Sequence, residues 1–259
     1  MFELLLVKKP TNNRNINSYG LFAAGTSNGT DYLSSTEKYY YLSDTLYSGT
    51  DLTTARYTLA ASGNTALGVF SGGVNSSNAT ISSTEKYLYS NNTRTSGLAL
   101  LVARRGHAGV GNATIGVFSG GYNTSNATIS STEKYLYSNN TLSSGASLAG
   151  FRGSYAAAGN SILGFFSGGR LSGSITSSTE KYQFSNDAVT AGMSLSVSRY
   201  SHSAAGSSTT GVFAGGYNLS YLSSTEKYQY DTDVTSIGTS LGVTRGNNAA
   251  SSSYPGWSA

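Results

Sequence analysis

Apolar and polar residues alternate with a period of two along short runs bounded by Gly, Asn, Asp and Ser. In Thr84-Glu85-Lys86-Tyr87-Leu88-Tyr89 the alternation puts Glu85, Tyr87 and Tyr89 on one face and Lys86 and Leu88 on the other, as in a pleated strand. A second run, Gly68-Val69-Phe70-Ser71-Gly72-Gly73, predicts a strand ending in glycines, where the backbone needs positive φ or close approach. A third is rich in alanine, as in Tyr155 to Ala158, and Gly-Asn or Gly-Ser turns it into the next Gly-x-Phe strand, as in a hairpin. A looser strand is expected around Gly97 and Leu100.

This pattern is spoken five times. Ser-Thr-Glu-Lys-Tyr carries its glutamate at Glu37, Glu85, Glu133, Glu180 and Glu226, in steps of 48, 48, 47 and 46 residues. Counting from each glutamate, Lys follows at +1, Tyr at +2, Gly at +12 and Leu at +15. Arg follows at +19, as Arg56, Arg104, Arg152, Arg199 and Arg245. Gly-Gly begins sixteen residues after each of the first four arginines, and Ala24-Gly25 stands in its place near the N-terminus. All length variation falls between Gly-Gly and the next Glu, which marks that segment as a surface loop. A fixed period of this size predicts a repeat architecture. Four strands per repeat is the content of a propeller blade, so the expectation is an all-β, five-bladed propeller with the small-residue strand innermost.

The two ends complete the count. The last repeat stops after an inner-strand candidate, Asn248 to Ser253, and lacks the Gly-Gly strand that residues 20–25 supply. Strand 248–253 is therefore expected to pair with strand 20–25 inside one blade and close the ring. Residues 19–259 then form a single domain. Residues 1–18 precede it, with the apolar run Phe2 to Val7 followed by Lys8-Lys9-Pro10. They read as an extra strand packed on the body, or as an arm attaching to a neighbouring subunit. Their charge lies after the apolar run, opposite to the order in a signal peptide.

Composition narrows the function classes. Only 11% of the 259 residues are charged, and fifteen of the 28 charged residues are the recurring Glu, Lys and Arg. The net charge of +4 is thus mostly architectural, which argues against nucleic-acid binding. With 20 tyrosines and 38% apolar residues the chain has enough to bury and is not expected to be disordered. It holds no cysteine, so disulfides and thiolate metal sites are excluded. No segment approaches the roughly 18 apolar residues of a membrane span.

The repeat resembles the kelch repeat: Gly-Gly, a Tyr-bearing strand, then Leu-x-x-x-Arg before a small-residue strand, over residues 20–253. Arg104-x-x-His107 and Arg199-x-x-His202 match its Arg-x-x-His element, while the kelch tryptophan of the outer strand is absent. The longer phrases, Ser-Thr-Glu-Lys-Tyr and Ala-Ala-x-Gly-Asn before Phe-x-Gly-Gly, are similar to kelch-like virion proteins of tailed phages. That resemblance implies a non-catalytic structural or adhesive protein of the virion surface or the extracellular space: a head or tail decoration, a fibre, or a host-attachment module. It implies other virion proteins, further copies of the chain, or host-surface glycans as partners. A free carbohydrate-binding propeller, a lectin, is the alternative.

Among residues with chemistry, Glu37, Glu85, Glu133, Glu180 and Glu226 are expected to pair with the five arginines as buried structural charges. His107 and His202 share a repeat position that holds Leu59, Tyr155 and Asn248 elsewhere. Two histidines without further ligands do not make a metal or acid-base site, so no metal, cofactor or catalytic residue is assigned. The face expected to bind partners carries the variable loops after Gly-Gly. On it Tyr122, Asn123, Arg170, Tyr217, Asn218 and Tyr221 offer aromatic platforms and amide or guanidinium groups for a sugar or a protein.

Overall fold

The computed structural model describes residues 5–7, 19–27 and 29–247. Their regular structure is strand, most of it gathered into five four-stranded antiparallel sheets in which spatial order follows chain order, with one three-stranded and two two-stranded sheets beside them. The first holds Leu5–Val7, Tyr19–Thr26, Tyr32–Tyr40 and Thr45–Ser48. The other four begin with Ala60–Gly63, Ala108–Gly111, Ala156–Gly159 and Ser203–Gly206. These small-residue strands neighbour one another in succession, because a narrow axis admits only short side chains where sheets converge. The arrangement is that of propeller blades.

Register explains the strand composition. In the second sheet Phe70 lies opposite Glu85 and Gly68 opposite Tyr87. The third, fourth and fifth sheets repeat both pairings. A glycine opposite each tyrosine leaves room for the ring, and Tyr87, Tyr135, Tyr182 and Tyr228 are completely buried. Each Gly-Gly takes positive φ at both residues, for example 62° and 100° at Gly72 and Gly73. In the first sheet Ala24 adopts the same conformation, at φ 63°.

The edge on which 248–253 were expected is taken in part by another segment. The inner neighbour of strand Tyr19–Thr26 is Leu5–Val7, with Leu5 opposite Phe22 and Val7 opposite Gly20. Tyr32–Tyr40 occupies its other edge, and 248–253, the expected partner, lie outside the described residues. The rest of segment 1–18 is likewise outside the described residues.

Candidate functional site

Two sets of recurring residues meet at each junction between successive sheets, and they must be separated before a site can be recognised. The first set is the charge pair. Arg56, Arg104, Arg152 and Arg199 reach Glu85, Glu133, Glu180 and Glu226 at 2.5–2.7 Å. All eight side chains are buried. Each guanidinium also donates to three carbonyls, for Arg104 those of Val102, Gly120 and Ser131 at 3.4, 3.0 and 2.8 Å. Each carboxylate accepts a backbone N–H from the residue after the recurring Leu of the preceding repeat: Thr53, Leu101, Ala149 or Ser196. Buried charges with this many partners are structural. Burial pushes the Arg56 guanidinium down while Glu85 holds it up.

The second set explains the glycine at +12. Tyr87, Tyr135, Tyr182 and Tyr228 donate their hydroxyls to the Asn or Asp seven residues after Glu: Asn92, Asn140, Asp187 and Asp233. These four residues hold φ between 55° and 60°, a region that Asn and Asp tolerate. The same hydroxyls stand over the +12 glycine of the preceding sheet. A Cβ at Gly49 or Gly97 would lie 2.7 or 2.8 Å from the oxygen of Tyr87 or Tyr135. Lys134 and Lys181 add ion pairs to Asp187 and Asp233 of the following sheet.

His107 and His202 are buried beside these pairs. Burial, then the Arg199 guanidinium, pushes the His202 imidazole down to about 3. Burial and Arg104 hold His107 well below its ordinary value. Both are neutral packing groups.

The remaining chemistry lies where the residue after the recurring arginine meets the residue after Gly-Gly. These positions pair antiparallel: Tyr57 with Val74, Arg105 with Tyr122, Gly153 with Arg170 and Tyr200 with Tyr217. The variable segments are thus on the same face as the arginine turn. They are partly strand, as in Arg170–Leu171 with Ser174–Ile175 and Tyr217–Asn218 with Ser220–Tyr221.

On this face Arg170 lies 4.2 Å from the ring centre of Tyr200. Tyr200 packs against Tyr217 at 5.5 Å, and Tyr217 against Tyr221 at 5.3 Å. The structure therefore joins Arg170, Tyr217 and Tyr221 into one arc with Tyr200 at its centre; Asn218 is half-buried next to it. Tyr221 is 58% exposed. Tyr122 stands apart, stacked under Arg105 at 5.2 Å and covering Gly153. Asn123 has a part in its own loop. Its side-chain oxygen accepts the N–H groups of Ser125 and Ala127 and folds its own loop. Tyr200 and Arg105 were missed because they follow the recurring arginine and read as part of the frame. The signal was present: that position varies through Tyr57, Arg105, Gly153, Tyr200 and Gly246 directly beside an arginine that stays fixed.

Among the described residues no three His, Asp or Glu side chains gather where a metal ion could be held. No family model matches the chain, and no curated protein matches it. The solved structure of YjhT, a kelch-repeat β-propeller protein, superposes with a TM-score of 0.79 at 11% identity, covering 96% of this chain and 87% of that one. Together with the blade order and the Arg–Glu repeat, this likeness gives the chain a kelch-like β-propeller fold.

Proposed function

We propose that the chain is a five-bladed kelch-like propeller that works without catalysis, as a structural or adhesive component at the surface of a phage particle. In this reading it decorates the head or tail, or forms part of a fibre. It acts through contacts to other virion proteins, to copies of itself or to host-surface glycans. One observation supports binding rather than catalysis, namely the division of its polar groups. The glutamates of the second to fifth sheets are buried on their arginines. The converging groups are the guanidinium and rings of Arg170, Tyr200 and Tyr217, half-buried, and of Tyr221, exposed. Flat rings take the C–H faces of a sugar, and a guanidinium donates to its oxygens or to a carboxylate. The virion part of the reading is supported by the wording of the repeat alone.

The test has two arms. Mass spectrometry of native particles should find the chain, and deletion of residues 1–18 should release it. A multivalent form should bind glycans on an array and lose that binding with Tyr200→Ala or Tyr217→Ala. A protein never found on particles, with no glycan or virion partner in multivalent form, contradicts the proposal. The same arc favours the second reading, a free lectin, which predicts glycan binding without particle association.

A further inference from the structure

Arginine stacks on tyrosine twice on the loop face, and the two stacks differ at the edge of the guanidinium. Arg105 lies over Tyr122 and donates to the Asn126 side-chain oxygen at 2.7 Å, so its edge is already engaged by its own loop. Arg170 lies 4.2 Å from the centre of Tyr200, and among the described residues its side chain has one hydrogen bond, to the Gly173 carbonyl at 3.3 Å. It forms no ion pair among them. A guanidinium carries five N–H donors around its edge. Stacking uses the face, holds the plane in place and leaves that edge for another acceptor. The backbone beneath is fixed as well, since Arg170 pairs with Gly153 on one side and Ile175 on the other.

The surroundings favour a negative occupant. The variable loops 26–33, 74–81, 122–129, 170–177 and 217–222 contain one carboxylate, Asp31, which accepts the Ser27 hydroxyl. The two loops of the arc, 170–177 and 217–222, contain none. Glu180 and Glu226, the carboxylates of the same two sheets, are buried on Arg152 and Arg199. An anion reaching Arg170 therefore meets a cation without a competing carboxylate from these loops. Half-burial beside three rings lowers the local dielectric and strengthens the attraction.

We propose that the arc is a subsite for an acidic glycan. Arg170 forks an oxyanion of the sugar, a carboxylate or a sulfate, and the adjoining sugar units lie against Tyr217 and Tyr221. This rests on the sugar-binding reading of the arc and adds the charge of the ligand and its direction. The planar fork fits two oxygens of one group. Tyr221, 58% exposed at the far end of the arc, takes the C–H face of a neutral unit. The acidic unit thus lies at the Arg170 end and the neutral units at the Tyr221 end. Three successive rings favour a sugar chain over an acidic peptide, whose carboxylates would leave Tyr217 and Tyr221 unused.

The probes are trigalacturonic acid, its methyl ester, a sulfated galactose trisaccharide and a polyglutamate peptide, each displayed on a polymer and measured with the full chain. The proposal predicts that the acid or the sulfated form binds at least about tenfold more tightly than the uncharged ester, as a charged hydrogen-bonded contact requires. Whichever of the two is preferred identifies the oxyanion. Arg170→Gln should bring the charged and uncharged affinities together, and Arg170→Lys should recover only part of the difference. Arg105→Gln removes an equal charge from the same face and should keep it. Thermal midpoints confirm that each variant is folded. Equal binding of the charged and uncharged sugars overturns the proposal and leaves the sugar-binding reading standing. A preference that survives Arg170→Gln, or that Arg105→Gln also abolishes, overturns the assignment to Arg170. Binding of polyglutamate alone overturns it in favour of an acidic protein partner. Binding of no probe overturns it together with the sugar-binding reading beneath it.

Discussion

The hydroxyl of Tyr135 stands where a side chain at Gly97 would have to go. That contact turns an apparently featureless glycine into an interlocking position between two sheets. Gly97→Ala places a Cβ 2.8 Å from the hydroxyl oxygen, and the expected loss is about 1–3 kcal/mol for overpacking. Tyr135→Phe removes the oxygen and should restore part of that loss in the double variant. Urea unfolding of the four proteins checks it; an unaltered midpoint in Gly97→Ala contradicts the interlock.

Ala24 holds φ 63° where the other repeats have glycine. A left-handed conformation costs a non-glycine residue about 1–2 kcal/mol, partly offset by the extra freedom glycine has when unfolded. Ala24→Gly should therefore stabilise the protein by about 1 kcal/mol, seen as a higher thermal midpoint. A lower midpoint contradicts the assignment of Ala24 to the Gly-Gly position.

His202 gives the fold a pH dependence. Its folded pKa of about 3 lies below the ordinary value of 6.5, so the unfolded chain binds the proton first. The stabilising contribution is complete above pH 6.5 and is lost progressively as pH falls toward 3. At pH 5 the loss is about 2 kcal/mol. His202→Tyr, which copies the residue at Tyr155, should lessen the acid slope of the stability profile between pH 7 and 4.5, leaving the part due to His107. An equal acid slope in the variant contradicts the role given to His202.

Much of this structure was legible in the chain because each blade repeats its constraints. The Glu, Tyr and Tyr of Thr84–Leu88 and its neighbour Tyr89 alternate inward as their spacing requires, and Glu85 finds Arg56. The small-residue strands are innermost for a steric reason that composition carries. The edge beside Tyr19–Thr26 was not legible, since a short run of strand-forming residues does not say which edge it pairs with. The candidate site was legible only in part. Arg170, Tyr217 and Tyr221 were candidates of the loop reading, but that Tyr200 joins them was not read from the sequence. Asn123 is engaged by its own loop, and Tyr200 hid behind the arginine it follows.

The most direct test is the coupling energy between Arg104 and Glu133, because the account treats the recurring charges as the interior frame of each blade. Arg104→Met or Glu133→Gln alone leaves an unpaired buried charge and should cost about 3–5 kcal/mol. Together they leave none. The double variant should be less destabilised than the sum of the singles by about 2 kcal/mol or more. Additive losses, or single variants that unfold at the unaltered midpoint, contradict the claim that these charges hold the blades.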